Sequence, residues 1–526
     1  MRSDSHTGQR IAIIGAGPAG LAAAKYLKQH GFEPVIFEQG GSVGGQWSGD
    51  AAYSGVWPAM HTNTSRVMTA FSDLPHAPDA PMHPSNRQMH AYLQNYAREF
   101  GLNSHVYLNT RVIELSQQAD GWRVGYLDAD GAVQSMHFDR AIVASGRYNK
   151  PRMPAVEGMA SFTGKGGMLH TFNYKQAAQF RGMRVLVAGG SISALEIASE
   201  LALNGVAVIS TQRRQRYVLR KTVDGVPVEH LAFTRFAALA EESFPIEAVA
   251  AGLKEFVVGT SGQPQDFGAL KPADNILEAG ITQNQHFLSL VAEGRIIAKP
   301  WLSRIDGTQV QFNDGSTTEV DAIIFGTGFD LHLPFLSKAL RQQLNVTQND
   351  LDLYAHTVHP QFPGLAFLGL FDLIGPTFPV LELQARWLTY YWSGIRDCLS
   401  HEELQAGLAL YQAYGRAVHE PSIPMHTLAL CFARLAGVEP ELKHWPQLTR
   451  ALMFGPLSPL SFRLSGPDAL PQAAVRTAQD AALFGAVPHG ELSEMQRGQL
   501  QALAAARHDT AMSSLADVAC KQIGVA

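Results

Sequence analysis

Cysteine is scarce in this 526-residue sequence, and its three cysteines lie far apart. Cys398, Cys431 and Cys520 show neither C-x-x-C nor C-x4-C spacing. An enzyme that passes electrons through a redox-active disulfide needs two neighbouring thiols, so that class is excluded. The same count provides no disulfide framework, which is typical of proteins from a reducing compartment.

Long apolar runs and a strong charge of one sign are also missing. No apolar run approaches the ~18 to 20 residues that span a bilayer, and the polar segment Met1–Arg10 lacks the apolar centre of a signal peptide. The net charge is only −5, with no basic stripe, which argues against a nucleic-acid partner. The 20 histidines show no metal-ligand spacing. We therefore expect a cytoplasmic protein with no metal, no nucleic acid and no membrane contact.

What the sequence does contain is a glycine-rich turn between an apolar strand and a helix. The strand Ile11–Ile14 runs into Gly15–Gly20, and the helical pattern Leu21–Leu27 follows. Only glycine tolerates a positive φ while letting a pyrophosphate approach the backbone, so Gly15 and Gly17 predict a dinucleotide site. The phosphates would lie at the helix N-terminus, where unpaired N–H groups favour negative charge.

The next strand helps to distinguish a dinucleotide-binding turn from a turn with only a structural role. Pro34–Phe37 ends in Glu38, at the distance expected for an acid that accepts hydrogen bonds from ribose hydroxyls. An acid there suits an unphosphorylated ribose, as in FAD or NAD. Strand, turn, helix and acid together favour nucleotide binding over a structural turn alone.

A second, degenerate unit begins at Met183–Ala188. If Gly189 is the first glycine of its turn, Ser191 and Ala194 occupy the second and third positions. The strand that follows leads to Arg213 and Arg214, with no acid at the ribose position. A guanidinium suits a 2′-phosphate, so we predict NADPH here, with a solvated basic loop as the alternative.

Further segments give the chain a family resemblance. It resembles the flavin-containing monooxygenases, class B flavoproteins that oxygenate soft nucleophiles, from about Ile11 to about Pro467. The matching segments are Gly44–Trp47, Thr62–Ser65 with Ser72–Asp73, Val143–Gly146 with Pro151 and Pro154, Phe325–Phe329, Pro379–Trp387, Phe454–Pro456, Phe462–Leu464 and Gly466–Pro467. Membrane-bound animal members end in a hydrophobic tail, whereas this chain ends in the mixed segment Asp517–Ala526.

The family's identifying motif, Phe-x-Gly-x3-His-x3 followed by an aromatic residue, is altered here. Phe162, Gly164, His170 and Tyr174 are present, but five residues separate Gly164 from His170. The longer turn calls the local loop geometry into question. Tyr174 stands where Baeyer–Villiger relatives carry tryptophan, which favours oxygenation of a heteroatom. We assign His170 no acid or base role.

The resemblance implies a mechanism in which NADPH reduces FAD and dioxygen adds to give a flavin 4a-hydroperoxide. An amine nitrogen or a sulfur attacks its outer oxygen, so no protein nucleophile is required. The intermediate must be kept from losing hydrogen peroxide, which calls for a fixed hydrogen-bond partner in a water-poor pocket. Asn63 offers both a donor and an acceptor and is the predicted catalytic residue, with a turn cap as its alternative role.

The predicted site and partners follow from these motifs and the resemblance. Predicted FAD contacts are Gly15, Gly17, Pro18, Ala19, Gly20, Glu38, Gln46, Trp47, Thr62, Asn63 and Gln384, and predicted NADPH contacts are Gly189, Ser191, Ser193, Ala194, Arg213 and Arg214. Expected partners are dioxygen, a small molecule with an amine or sulfur nucleophile, and a second copy of the chain in a homodimer. The alternatives are a Baeyer–Villiger enzyme acting on a ketone, and an NADPH oxidase or redox flavoprotein.

The predicted fold is α/β, with two Rossmann-like dinucleotide-binding domains and a helical C-terminal region. We expect a discontinuous FAD domain over residues 1–174 and 307–394, an inserted NADPH domain over 175–306, and the helical region over 395–526. Helical patterns are predicted at Ala237–Glu242, Ile246–Phe256, Glu402–Ala417, Met425–Ala436 and Leu492–Ala506.

Overall fold

The computed structural model describes residues 6–50, 52–417, 422–488 and 491–515. The expectations about Met1, Cys520 and the closing segment Asp517–Ala526 lie outside the described residues. None of the helices in the described ranges is both long and apolar enough to cross a membrane.

The first part of the chain forms a nucleotide-binding type of strand–helix–strand unit and an antiparallel layer beside it. Its elements are β1 (Arg10–Ile14), α1 (Pro18–Gln29), β2 (Glu33–Phe37), α2 (Asn86–Glu99), β3 (Val106–Tyr107), β4 (Arg111–Gln118), β5 (Gly121–Leu127), β6 (Val133–Phe138), β7 (Arg140–Val143) and β8 (Lys150–Pro151).

The middle of the chain repeats the strand–helix–strand order and adds short helices after it. Its elements are β9 (Gly167–His170), β10 (Arg184–Ala188), α3 (Ile192–Leu203), β11 (Ala207–Gln212), β12 (Tyr217–Leu219), β13 (Thr222–Val223), β14 (Val226–Pro227), α4 (Glu229–Ala232), α5 (Arg235–Ser243), α6 (Ile246–Ser261), α7 (Ile276–Ala279), β15 (Ile281–Gln283), α8 (Phe287–Ala292), β16 (Ile296–Pro300), β17 (Leu302–Asp306), β18 (Gln309–Phe312), β19 (Thr317–Glu319) and β20 (Ala322–Phe325).

The last part returns to the first unit and ends in helices. Its elements are β21 (Phe329–Asp330), α9 (Lys338–Gln343), β22 (Leu365–Phe367), β23 (Leu373–Ile374), α10 (Phe378–Trp392), α11 (His401–Ala417), β24 (Ile423–Pro424), α12 (Met425–Ala436), α13 (Thr449–Phe454), α14 (Ala473–Ala482), α15 (Glu494–Arg507) and α16 (Thr510–Leu515). All five predicted helices are confirmed, and α12 has the predicted bounds.

Two parallel five-stranded sheets organise the molecule. The first has the strand order β22-β7-β1-β2-β3, and the second has the order β16-β11-β10-β20-β9. The central strands are short, aliphatic and almost fully buried, as expected for parallel strands covered on both faces. This α/β architecture with its helical C-terminal region confirms the predicted fold class.

The sheets do not divide the chain where the sequence suggested. Strands β9 and β20 lie outside the predicted range 175–306, yet both are paired into the second sheet. Ile323 pairs with Leu186 on one side and with Met168 on the other. We propose that the second domain extends over about 167–325, because strand pairing between distant segments sets its limits.

A buried charge cluster joins the first unit to the helical C-terminal region. Its three cations and three anions are Lys25, Arg386, Arg463, Asp73, Glu382 and Asp468. Arg463 lies 3.0 Å from Asp73 and 3.5 Å from Glu382, and Arg386 lies 2.7 Å from Asp468. The motif residues Ser72, Glu382 and Arg463 are therefore bonded to one another and not to solvent. This cluster explains why residues so far apart in sequence recur together in the resemblance.

Candidate active site

The first glycine-rich turn is so tight that side chains are excluded from two of its positions. Gly15 has φ +109°, and a Cβ there would lie 2.5 Å from the Ala144 carbonyl oxygen. A Cβ on Gly20 would lie 1.9 Å from the carbonyl oxygen of Gly15. Both contacts are far below a normal separation, so α1 can begin this close to β1 only with glycine.

Glu38 follows β2, as predicted, and its carboxylate braces the turn. It accepts hydrogen bonds from the backbone N–H groups of Ala16 at 2.9 Å and Gly40 at 2.8 Å. Burial raises the pKa of Glu38, and the two backbone hydrogen bonds oppose that rise. Each carboxylate oxygen keeps a lone pair beyond these bonds, so the residue fits a ribose hydroxyl as well.

The Gly44–Trp47 segment packs directly on this turn. A Cβ on Gly45 would lie 2.9 Å from the Gly17 Cα atom, so the two backbones touch where a pyrophosphate would be held. The Gln46 amide accepts from Gly55 N–H at 2.8 Å and donates to two carbonyl oxygens, which fixes the following segment. Trp47 is half-buried against the same core.

The second turn repeats this construction with one substitution. Gly189 has φ +144°, and its Cβ would lie 2.3 Å from the Gly326 carbonyl oxygen, as Gly15 meets Ala144 in the first unit. Ser191 caps α3 by accepting from Ala194 N–H at 3.3 Å, and its hydroxyl donates to Gly326 at 3.1 Å. The serine that replaces glycine is thus an N-cap, a position that favours it.

The predicted arginines lie at the carboxyl end of β11. Arg213 and Arg214 are exposed, and the Arg213 guanidinium lies 5.9 Å from the ring centre of Trp301. Arg216 joins them as a third cation, and burial, with the nearby charges of Arg214 and Arg213, lowers its pKa. Arg216 belongs to the same basic run but was not among the predicted contacts.

The Asn63 loop is fixed on both sides of the asparagine. Thr62 N–H donates to the Pro84 carbonyl at 2.9 Å, and the Thr62 hydroxyl donates to the Thr64 carbonyl at 2.7 Å. Ser65 is fully buried and is bonded to Glu229 and His230 of α4. Asn63 is half-buried, and its amide makes no hydrogen bond among the described residues. The loop backbone is therefore fixed, while the amide it carries has no protein partner.

The segment that leads to this loop lies against the second unit. The Trp57 indole N–H donates to Glu200 of α3 at 2.6 Å, and the Tyr174 hydroxyl donates to the same carboxylate at 2.9 Å. A cavity of about 410 Å³ opens beside them, and its walls include Trp57, Met60, Thr62, Glu196, Lys221 and His286. Thr62 brings this cavity next to Asn63.

Two other motif residues have structural roles. His170 ends β9 and accepts from Phe172 N–H at 3.1 Å, and burial lowers its pKa to about 4, so it is neutral. The fully buried Gln384 amide bonds to Gly369, Thr357 and Phe367 within the first unit. Its predicted FAD contact stays a prediction, since these bonds occupy most of its hydrogen-bonding capacity.

The longer turn before β9 lies against the start of β20. A Cβ on Gly164 would lie 2.5 Å from the Asp321 carbonyl oxygen, and one on Gly166 would lie 2.7 Å from the Ala322 Cβ. The inserted glycines thus let the turn pass over the strand.

Both turns fit a dinucleotide. Each has a glycine of positive φ, a helix that starts directly after the turn, and a following strand with polar residues just beyond its carboxyl end. Glu38 fits the unphosphorylated ribose of FAD, and the arginines fit the 2′-phosphate of NADPH. Asn63 and the cavity are the remaining parts of the site.

Comparison with known proteins agrees with this geometry. A family model described as flavin-binding monooxygenase-like matches residues 8–483. Dimethylaniline monooxygenase (N-oxide-forming) 2 of Cavia porcellus is 30% identical over 491 residues, which cover 87% of this chain and 89% of that protein.

Two solved structures share the fold. S-allyl-L-cysteine S-oxygenase from Allium sativum has a TM-score of 0.60 and 24% identity, covering 82% of this chain and 89% of its own. A cyclohexanone monooxygenase mutant from Rhodococcus sp. Phi1 bound to NADP+ has a TM-score of 0.62 and 16% identity, covering 82% of this chain and 97% of its own. At these identities the two likenesses show the fold alone.

Proposed function

The chain belongs to the flavin-binding monooxygenase-like family, and we propose that within this family it oxygenates a soft nucleophile, an amine nitrogen or a sulfur. It is an FAD-dependent monooxygenase that uses NADPH and dioxygen on a small molecule. In the proposed reaction, NADPH, a proton, dioxygen and the substrate give NADP+, water and the substrate with one added oxygen. Reduced FAD supplies the electrons that activate dioxygen.

The observation that carries the proposal is the uncommitted amide of Asn63 on a fixed loop. Asn63 Nδ2 can donate and Oδ1 can accept, so the residue can hold a proton-bearing oxygen in place without giving up a protein hydrogen bond. A preorganised partner needs no rearrangement during the reaction, which is the main source of electrostatic stabilisation in such sites. The reaction requires no nucleophile from the protein.

The cofactor positions follow from the two turns. We propose that Gly15, Gly17 and Gly20 hold the FAD pyrophosphate, with Pro18 and Ala19 in the first turn of α1. Gly189, Ser193 and Ala194 would do the same for NADPH, and Arg213 with Arg214 would bind its 2′-phosphate.

The cavity beside Thr62 is the proposed substrate site. Its wall combines the Trp57 ring with an ion pair of Lys221 and Glu196, whose charged atoms lie 3.0 Å apart. An apolar body with one polar group fits such a wall, since these surfaces offer both apolar contact and charge. The name of the relative that is 30% identical, an N-oxide-forming monooxygenase, supports nitrogen as an acceptor of oxygen.

A substrate panel tests the proposal. FAD-loaded protein is given NADPH with tertiary amines, thioethers and cyclic ketones, and product, peroxide and NADPH consumption are measured together. We expect N-oxide or S-oxide in proportion to the NADPH consumed. Lactone from the ketones as the only product, or peroxide alone with every compound, would refute the proposal.

A further inference from the structure

The short helix α4 of the second unit has two neighbouring polar side chains in the protein interior. Glu229 and His230 are each 0% exposed, and both are directed at Ser65 of the Asn63 loop. We propose that Glu229, assisted by His230, is the positioning residue for Asn63 and joins that loop to the nucleotide unit from which α4 comes. The inference deepens the proposed function and rests on it for the role of Asn63.

Glu229 and His230 bond to different atoms of the same serine. The backbone N–H of Ser65 donates to Glu229 Oε1, and the Ser65 hydroxyl and His230 Nε2 lie 2.8 Å apart. Ser65 is itself 0% exposed, so water does not compete for these bonds. In such surroundings a hydrogen bond to a carboxyl group is stronger than at the surface.

The position of Ser65 in the loop gives the contact its importance. On the other side of Asn63, both hydrogen bonds of Thr62 remain within the first unit, to Pro84 and Thr64. The bonds to Ser65 are the ones that come from α4, 164 and 165 residues away in sequence. Without them, the chain after Asn63 would be held by bonds within the first unit, such as those from Met68 and Thr69 to the Ser65 carbonyl, and the backbone that carries Asn63 would no longer be tied to α4.

A contact that served packing alone would not need these residue types. Burying a carboxyl group costs free energy unless it is well bonded, and an apolar pair of the same volume is often as stable. Burial raises the pKa of Glu229 to about 7 and lowers that of His230 to about 3, so the protein bears that cost at α4. The buried carboxyl provides a directional hydrogen bond to one backbone N–H, which apolar side chains cannot supply.

Hydrogen exchange tests the contact independently of catalysis. Amide exchange is followed by mass spectrometry in peptides over residues 62–69 of the FAD-loaded wild type and of Glu229→Ala and Glu229→Gln. Glu229→Ala should speed exchange at Ser65 roughly tenfold, as expected when the hydrogen bond of a buried backbone N–H is lost. Glu229→Gln keeps an acceptor oxygen and should remain close to the wild type.

A matched control separates this effect from general loosening. Glu439 forms an ion pair at 2.7 Å with the buried Arg235 of α5, away from the Asn63 loop. Glu439→Ala should leave exchange over residues 62–69 unchanged. Unchanged exchange in Glu229→Ala, or an equal increase in Glu439→Ala, would overturn the inference.

The second measurement asks whether the contact acts through Asn63. The product formed per NADPH should fall in Glu229→Ala and should be close to the wild-type value in Glu229→Gln. The double variant with Glu229→Ala and Asn63→Ala should form as much product per NADPH as Asn63→Ala alone. An additive fall in the double variant, or no fall in Glu229→Ala, would overturn the positioning role. If the wild type makes no product but exchange responds as expected, the proposed function fails while the anchoring of the loop stands.

If Glu229→Ala does not fold, Glu229→Asp gives the same test. The shorter side chain withdraws the carboxylate from the Ser65 N–H, so exchange at Ser65 should rise by an intermediate factor. Wild-type exchange in Glu229→Asp would contradict the inference.

Discussion

At the scale of single residues, the account depends on a few polar side chains whose bonds are specified by their neighbours. Asn63 is the clearest of them, because Thr62 and the nearby Ser65 are hydrogen-bonded while the Asn63 amide is not bonded to any described residue. A residue in that situation can bind a ligand without breaking a protein contact. Its removal should therefore affect chemistry much more than stability.

Asn63→Ala should retain FAD but release the oxygen mainly as hydrogen peroxide. Loss of one preorganised hydrogen-bonding group typically costs a hundredfold or more in rate, so product per NADPH should fall by roughly tenfold or more. Product, peroxide and NADPH are measured in the same reaction. Gln94→Ala, an exposed amide residue on α2 outside the cavity wall, serves as the control. Unchanged product per NADPH in Asn63→Ala would remove this residue from the mechanism.

Arg213 and Arg214 set the expected preference for NADPH over NADH. Replacing both with alanine should weaken the binding of NADPH by about 1.5 to 3 kcal/mol, the value of one charged hydrogen bond, and leave the binding of NADH unaffected. The comparison uses the KM of each coenzyme in the reductive step. Arg304→Ala, an exposed arginine on β17, is the control. An unaltered ratio of the two coenzymes would contradict the assignment.

Glu229 should make stability depend on pH near neutrality. Burial raises its pKa from 4.5 to about 7. Folding favours the neutral carboxyl. Its contribution to the free energy of unfolding is therefore fully present below about pH 4.5 and is lost as the pH rises through 7. Glu229→Gln cannot ionise, so its thermal midpoint relative to the wild type should rise between pH 5 and pH 8. The full effect is on the order of 3 kcal/mol.

The exposed Glu402→Gln on α11 is the control for that pH series. Its midpoint should follow the wild type at every pH. Parallel curves for Glu229→Gln and the wild type would contradict a buried, titrating carboxyl at position 229.

At the scale of elements, α1, α10 and the segment after α13 are held together by the buried charge cluster. Tyr26 and Ser72 add hydrogen bonds to Glu382, so this carboxylate of α10 contacts both α1 and the loop before α2. A buried cluster of balanced charge is costly to break, because the partners of a removed charge remain buried.

Glu382→Gln should therefore destabilise the fold strongly. The substitution leaves three buried cations with two anions, and an unpaired buried charge typically costs about 3 to 5 kcal/mol. The expected result is a lower thermal midpoint of the FAD-loaded protein and easier loss of FAD. Lys443→Gln, which breaks an exposed ion pair with Glu441, should cost less than about 1 kcal/mol. Equal effects of the two substitutions would contradict the structural role.

Local elements could be predicted from the sequence, and long-range pairings could not. The turn at Gly15, the acid at Glu38 and helix α12 depend on neighbouring residues, so pattern and spacing were sufficient for them. The predicted domain boundary at residue 307 separates β20 from the sheet with which it pairs, because the pattern of β20 shows that it is buried, and not which sheet receives it. The Ser65 contact with Glu229 joins residues 164 apart, and short-range patterns contain no signal for it.

The site was predicted in a similar, partial way. The structure places Asn63 on a fixed loop and the two arginines directly after β11, and their binding roles stay predictions. Gln384 shows the limit of a motif, because its amide is bonded inside the first unit. A motif identifies residues that recur together, but their contacts in the fold decide whether they bind a ligand or support the structure.

At the scale of the whole molecule, two similar sheets are joined by a chain that passes between them twice. The crossings follow β7 and β20, so the first unit is completed only when β22 pairs with β7. This arrangement places the Asn63 loop of one unit against α3 and α4 of the other. The proposed catalytic residue therefore lies on a loop that contacts the unit proposed to bind NADPH.

Isotope labelling tests the central claim most directly. The FAD-loaded protein is supplied with NADPH, ¹⁸O₂ and an amine or thioether, and the mass of the product is measured by mass spectrometry. We predict one ¹⁸O atom in each N-oxide or S-oxide, none from labelled water, and one product per NADPH. Product without the label, or consumption of all NADPH to hydrogen peroxide, would contradict the account.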